Sequence, residues 1–342
     1  SYLSLGGSDG TIANPIWLEG YNNDAKDVER TRTYGMTFDN TIMPLFDGHG
    51  IKVNKRDYYI LKNLQCENPA ETYGVEIARA FGTRVENCYF KEGGYGIYNF
   101  DAVLGSNSKI IRCYSQDVYQ SGFRLRNGNN LIQDTWSVTT LQTLNSGTDY
   151  YISINGGEVG TNNAVLDCYV RRFPTMSHNG HGISLKANQD ATDPDSTIEH
   201  ALVENNNVID NRGGVEFRHS QVRYCVARNN IIEGINEPVK VIGTHFRDGA
   251  SYNTFENNIV KNGNMGVRFH NSGEDASTDG AKGGFENTVR NNVFDTMLNF
   301  VTADSGTSSN DNNFYHNTIL NVDDITNVTT TFTRNIFKNN IV

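Results

Sequence analysis

Two short stretches carry side chains able to move a proton. His178-Asn179-Gly180-His181-Gly182-Ile183-Ser184-Leu185-Lys186 and Gly214-Val215-Glu216-Phe217-Arg218-His219 each alternate apolar with polar residues, the pattern of a half-buried strand. With Ile183, Leu185, Val215 and Phe217 turned inward, Ser184, Lys186, Glu216 and Arg218 face outward together. If the strands are neighbours, Lys186 and Arg218 stand one strand spacing apart, about 4.8 Å. A cation beside Lys186 favours the neutral amine that a base requires. Base, acid and a neutralised carboxylate on one side of a bound chain are what β-elimination needs. His181, His219 and Tyr224 are further candidates for proton transfer.

Such strands must belong to something that repeats. A polar residue followed by a small or branched one recurs as Asn40-Thr41, Asn63-Leu64, Asn87-Cys88, Arg112-Cys113, Asp134-Thr135, Asp167-Cys168, Asn207-Val208, Asn230-Ile231, Asn258-Ile259, Asn292-Val293, Asn317-Thr318 and Asn340-Ile341. The shortest step is about 23 residues, within the range of solenoid repeats. Between markers lies a second strand: Gly74-Val75-Glu76-Ile77, Gly96-Ile97-Tyr98, Gly122-Phe123-Arg124-Leu125-Arg126, Ile152-Ser153-Ile154-Asn155, the two stretches above, Val239-Lys240-Val241, and Gly266-Val267-Arg268-Phe269-His270. No amphipathic helix interrupts them. Leucine-rich repeats need a denser Leu pattern, and propellers a period near 40. The expected fold is all-β, a single-stranded right-handed parallel β-helix with about 23 residues per turn. Asn suits its bends because it tolerates the left-handed backbone region and can bond neighbouring turns.

Residues 1–342 read as one such domain. Extra residues accumulate between Asp134 and Asn207 and between Asn258 and Asn292, where solenoid insertions build binding walls. The pattern is still running at Val342, and an uncapped coil exposes strand edges, so part of a longer protein is expected.

Stacking the second strands by their inward residues gives two outward columns. One reads Arg126, Asn155, Lys186, Arg218, Ile242, His270; the other Arg124, Ser153, Ser184, Glu216, Lys240, Arg268. A row of cations at strand spacing repels itself and calls for a polyanion. Yet the chain is acidic, with formal net charge −10 and pI ≈ 5.3, which argues against a nucleic-acid partner. The expected partner is an acidic polysaccharide, with Arg124, Arg126, Asn155, His178, Glu216, Tyr224, Arg268 and His270 lining its groove. No apolar run is long enough to span a bilayer, and no membrane partner is expected. A secreted or periplasmic location follows from that substrate alone. Five cysteines (Cys66, Cys88, Cys113, Cys168, Cys225) are too few and scattered for a disulfide framework or zinc knuckle. Cys88, Cys113 and Cys168 share one phase and are expected to stack inside.

From Ile183 to Asn230 the sequence resembles the β-helical polysaccharide lyase family that contains chondroitinase B and alginate lyases. The resemblance rests on Ser184-Leu185-Lys186-Ala187, the turn Asn205-Asn206-Asn207-Val208, and Val215-Glu216-Phe217-Arg218-His219. It covers roughly fifty residues, interrupted at Gln189–Ser196. It implies that Lys186 takes the proton α to a uronate carboxylate and that Arg218 helps protonate the leaving oxygen. It also implies a calcium ion held by acids just before the Lys, but Asn179 and His181 stand there. Calcium prefers several oxygen ligands, so no metal or other cofactor is expected; His178, His181 or Arg268 would neutralise the carboxylate instead.

The function expected is thus a lyase acting by β-elimination on a uronic-acid polysaccharide such as alginate, a glycosaminoglycan or a fucoidan-type polymer. A C5-epimerase would share the proton abstraction. A glycoside hydrolase needs two facing carboxyl groups, for which Glu216 has only Asp304 or Glu76, several turns away. A non-catalytic, tailspike-like binding module would hold the polymer without changing it.

Overall fold

Alternation of one inward and one outward side chain, repeated turn after turn, winds the chain into a parallel β-helix. The computed structural model describes all residues except 1, 6, 8, 21–31, 39–42, 68–72, 100–106, 141–149, 158–159, 174–179, 188–195, 237–240, 274–281 and 305–307. Among the described residues there is no helix, and every strand pairing is parallel apart from one isolated bridge between Gly157 and Thr197. Each turn contributes one strand to a 12-stranded sheet and two to a 20-stranded sheet that folds round two sides of the coil. A short 4-stranded sheet closes part of the remaining corner. Toward the C-terminus the paired strands merge into long ones, Ile259–His270 and Val293–Asp304.

The inward residues form columns. Ile152, Ile183 and Val215 align in register, and Phe217, Phe246 and Phe269 stack with centroids 5.1 and 5.4 Å apart. All are buried, each contributing on the order of 2 kcal/mol of transfer free energy. A glycine opens most rungs of the site wall for a steric reason. A Cβ at Gly182, Gly214 or Gly243 would come within 2.5–2.7 Å of the next rung's carbonyl oxygen.

The asparagines divide two tasks that the sequence suggested one residue would combine. Asn205, Asn229, Asn257 and Asn291 take the left-handed bend, with φ of 55–59°. The residue after each, Asn206, Asn230, Asn258 and Asn292, turns inward, and its amide binds Oδ1 of its counterpart on the following turn. The ladder continues to Asn317 and Asn340, with steps between 23 and 34 residues. Earlier along the same column sit Cys88, Cys113 and Cys168, stacked inside the coil and unoxidised. Burial pushes the Cys113 thiol up to about 12, which leaves it inert.

One strand differs from expectation. The rung after Arg218 is Ile242–Arg247, not Val239-Lys240-Val241, because Thr244 and Phe246 fill the inward positions beneath Val215 and Phe217. Thr244 reads as an outward residue, but its hydroxyl is spent on the Val215 carbonyl at 3.2 Å. His245 and Arg247 therefore occupy the outward columns in place of Lys240 and Ile242, and Lys240 itself lies outside the described residues.

Candidate active site

The site wall consists of the strands Ser121–Arg126, Tyr150–Asn155, His181–Lys186, Gly213–Arg218, Ile242–Arg247 and the second half of Ile259–His270. Their register builds one outward column of Arg126, Asn155, Lys186, Arg218, Arg247 and His270, which Asp304 continues. The second column is Arg124, Ser153, Ser184, Glu216, His245 and Arg268. Lys186 and Arg218 are thus direct partners on adjacent rungs of one wall.

Glu216 is outward but not solvated; it is fully buried, which corrects the expectation of a solvent-facing carboxylate. Ser184 donates to its Oε2 at 2.9 Å, and Arg247 donates to Oε1 at 3.3 Å. Nδ1 of His181 and Nδ1 of His245 each lie 3.7 Å from that same Oε1, beyond hydrogen-bond range. Burial alone would raise the Glu216 carboxyl, but His181, Arg218, Arg247 and His245 outweigh it and hold the group well below the usual carboxylate range. Burial drives His181 down to about 4 despite the pull of Glu216 and holds His245 well below its ordinary value. Glu216 thus sits in a cluster with two buried imidazoles and two guanidinium groups. Gly213 makes room for it, since a Cβ there would lie 2.7 Å from His181 Nδ1.

Arg218 is nearly buried too. It donates to the Tyr150 hydroxyl at 2.5 Å, with its Nε 3.6 Å from Asp248. Tyr150 aligns with His181 on the next rung, and the two rings stack at 5.4 Å. Asp248 accepts from Arg247 and from Ser272, anchoring the residues that follow His270. Farther along, Arg268 donates to Asp304 at 2.8 Å and His270 Nδ1 lies 2.7 Å from the same carboxylate. Burial works against ionisation of Asp304, and His270 and Arg268 more than compensate, lowering it. Beyond Arg218 the wall opens into a polar cleft of about 250 Å³ whose lining includes Arg212, Arg247, Arg268, His181, His245 and His270.

Of the residues singled out in the sequence, Lys186, Arg218, His181, Glu216, Arg268 and His270 come together along this wall. Asn155 and Arg126 extend it on the N-terminal side, with Asn155 accepting from Ser153 at 2.6 Å. Arg124 donates to Tyr95 at 3.3 Å and lies over the Tyr98 ring, at the far end of the wall. His219 occupies the bend after the strand, with φ 81°, not the strand face. Tyr224 is misassigned: it is half exposed on another corner, stacked between His200 and Tyr252. His178 lies outside the described residues. Tyr150, His245 and Arg247 were missed. The repeated apolar-polar-Phe-basic pattern of Val215-Glu216-Phe217-Arg218 and Thr244-His245-Phe246-Arg247 could have revealed the last two.

Of the two positions where the resemblance places calcium ligands, Asn179 lies outside the described residues and His181 faces Glu216.

Several solved structures share the architecture. The chain superposes on the A-module of the mannuronan C-5 epimerase AlgE6 from Azotobacter vinelandii with a TM-score of 0.62 and 12% identity, covering 99% of this chain and 87% of the module. The catalytic domain of a GH87 α-1,3-glucanase in complex with nigerose gives 0.60 and 11%, covering 99% of this chain and 62% of that one. A tailspike protein of the E. coli bacteriophage HK620, in complex with a hexasaccharide, gives 0.53 and 10%, covering 82% and 65%. The chain thus spans less than two thirds of the glucanase and tailspike chains. At such identities the likeness is one of fold. No family model matches the sequence, and no curated protein matches it.

Proposed function

We propose that this protein is an enzyme that processes a uronate-containing polysaccharide, and that it cleaves the polymer by β-elimination. The observation that carries the reading is the direct pairing of Lys186 with Arg218 beside a cleft lined by three arginines. A polymer laid along the wall crosses successive rungs every 4.8 Å or so, close to the rise of a sugar unit. The guanidinium groups of the cleft neutralise its carboxylates, which acidifies the α-proton. Lys186 takes that proton. Arg218 keeps its own and serves by orientation and charge: its donor on Tyr150 stabilises the oxygen left when the phenol gives its proton to the departing sugar oxygen.

The carboxyl groups weigh against hydrolysis. Asp248 lies nearer to Glu216, both carboxylates binding Arg247, but it is fully buried; Glu216 and Asp304 stand three rungs apart, about 14 Å along the wall, whereas hydrolases hold their pair within roughly 10 Å. Both are also held below the ordinary carboxylate range, and neither is a proton donor near neutral pH. The fold neighbours act on or bind saccharides according to their titles, as mannuronan epimerase, α-1,3-glucanase and tailspike, which supports a polysaccharide partner. The epimerase, matched over nearly the whole of both chains, favours C5-epimerisation as the second reading. It requires the same abstraction followed by return of a proton from the other face.

Incubation with alginate, chondroitin, glucuronan and fucoidan in deuterated water separates these outcomes. A lyase produces the ultraviolet absorbance of unsaturated uronates; an epimerase incorporates deuterium without it; a hydrolase yields reducing ends with neither. Binding without any product would overturn the enzymatic reading.

A further inference from the structure

We propose that His181, Glu216 and His245 form a binding site for a divalent ion of the zinc class in the floor of the cationic cleft. The site rests on the geometry of the three side chains; only its expected response to glucuronate rests on the function proposed above. The three side chains come from consecutive rungs, and their ligand atoms all lie within 4.8 Å of one another. Both Nδ1 atoms face one carboxylate oxygen at 3.7 Å. An ion about 2.1 Å from each atom would subtend an N–metal–O angle of roughly 120°, compatible with four or five ligands. Closing the widest gap takes at most about 0.6 Å of side-chain rotation, since two atoms on one ion stand no more than about 4.2 Å apart.

The resting cluster is also unsatisfied. His181 Nδ1 and both ring nitrogens of His245 are buried without a hydrogen-bond partner, at a cost of about 1–3 kcal/mol per group. Ser184 donates to the second carboxylate oxygen and so orients the first toward the imidazoles, as a supporting shell does in metal sites. Two imidazoles with one carboxylate suit zinc, cobalt or nickel rather than calcium. Arg247 shares the oxygen at 3.3 Å, but Asp248 holds its Nε at 3.1 Å and keeps a counter-charge for it when the ion enters. Because arginines surround the site, the ion binds more tightly once an anion sits in the cleft, and by linkage the anion then binds more tightly too.

Protein stripped with a chelator is titrated with Zn²⁺ by calorimetry and with Co²⁺ by its visible d–d band, with and without added glucuronate. One equivalent per chain is expected, tightened by glucuronate. His181→Ala and His245→Ala should each weaken it by more than about 100-fold, beyond the usual cost of losing a supporting residue. Pulsed electron paramagnetic resonance of the Cu²⁺-loaded wild-type protein needs no variant and should count two imidazoles. Zn²⁺ uptake no better than that of His245→Ala, fewer than two imidazoles, or equal uptake of Ca²⁺ at the same stoichiometry would overturn the proposal.

Discussion

Two buried polar regions of this molecule are built in opposite ways. Inside the coil, each amide of the asparagine ladder is saturated: Asn258 donates to the Ala227 carbonyl and to Asn292, while its Oδ1 accepts two hydrogen bonds from Asn230. On the outer wall, Glu216 and its two imidazoles are as buried as the ladder, yet three ring nitrogens are unmatched. Buried polar groups that serve only the fold find partners. Unmatched nitrogens that converge on one carboxylate oxygen, as those of His181 and His245 do, mark a place that a ligand can complete.

The comparison can be broken from either side. The largest effect is expected at Lys186→Ala, with turnover on a cleaved uronan falling at least ~10³-fold while the melting temperature stays within a few degrees. Residual activity within tenfold of wild type removes Lys186 from the chemistry. Next comes Asn258→Ala, which deletes four hydrogen bonds and strands the amide and side chain of Asn230. A loss of about 3–6 kcal/mol in denaturant unfolding is expected, with activity per folded molecule unchanged; a loss below 1 kcal/mol would mean the ladder is ornamental.

Smaller effects sharpen the contrast. Asp304 has a lowered pKa, so its pairing stabilises the fold above the unfolded value near 3.8, and that contribution disappears as pH falls through the lower folded value. Arg268→Met should therefore cost about 1 kcal/mol near pH 6 and progressively less below pH 4, as urea midpoints across pH would show. His245→Leu removes two unmatched nitrogens for a side chain of similar size, and stability should hold or rise by about 1 kcal/mol. A clear destabilisation there would place His245 with the ladder as a structural residue. Tyr224→Ala, on a separate corner, should leave turnover within twofold.

The candidate site was half legible for a physical reason. Lys186 and Arg218 could be paired because both follow apolar residues that must point inward, and period-two alternation then dictates their face. His245 and Arg247 were hidden because Thr244 fills an apolar column, and a hydroxyl that bonds a carbonyl inside the coil looks, in sequence, like one bound for solvent. Tyr150 needed the strand extended two residues toward its N-terminus before its alignment with His181 showed. Tyr224 was drawn in by proximity along the chain, which a coil with several faces does not preserve.

The sequence by itself determined the coil and the face that Lys186 and Arg218 share, since both follow from local periodicity and the backbone's alternation. Only the tertiary structure decided which residues stack across turns of unequal length. It alone turned an outward glutamate into a buried one, because Ser184, His181, His245 and Arg247 gather round it from neighbouring rungs, and no periodicity within a single strand encodes that.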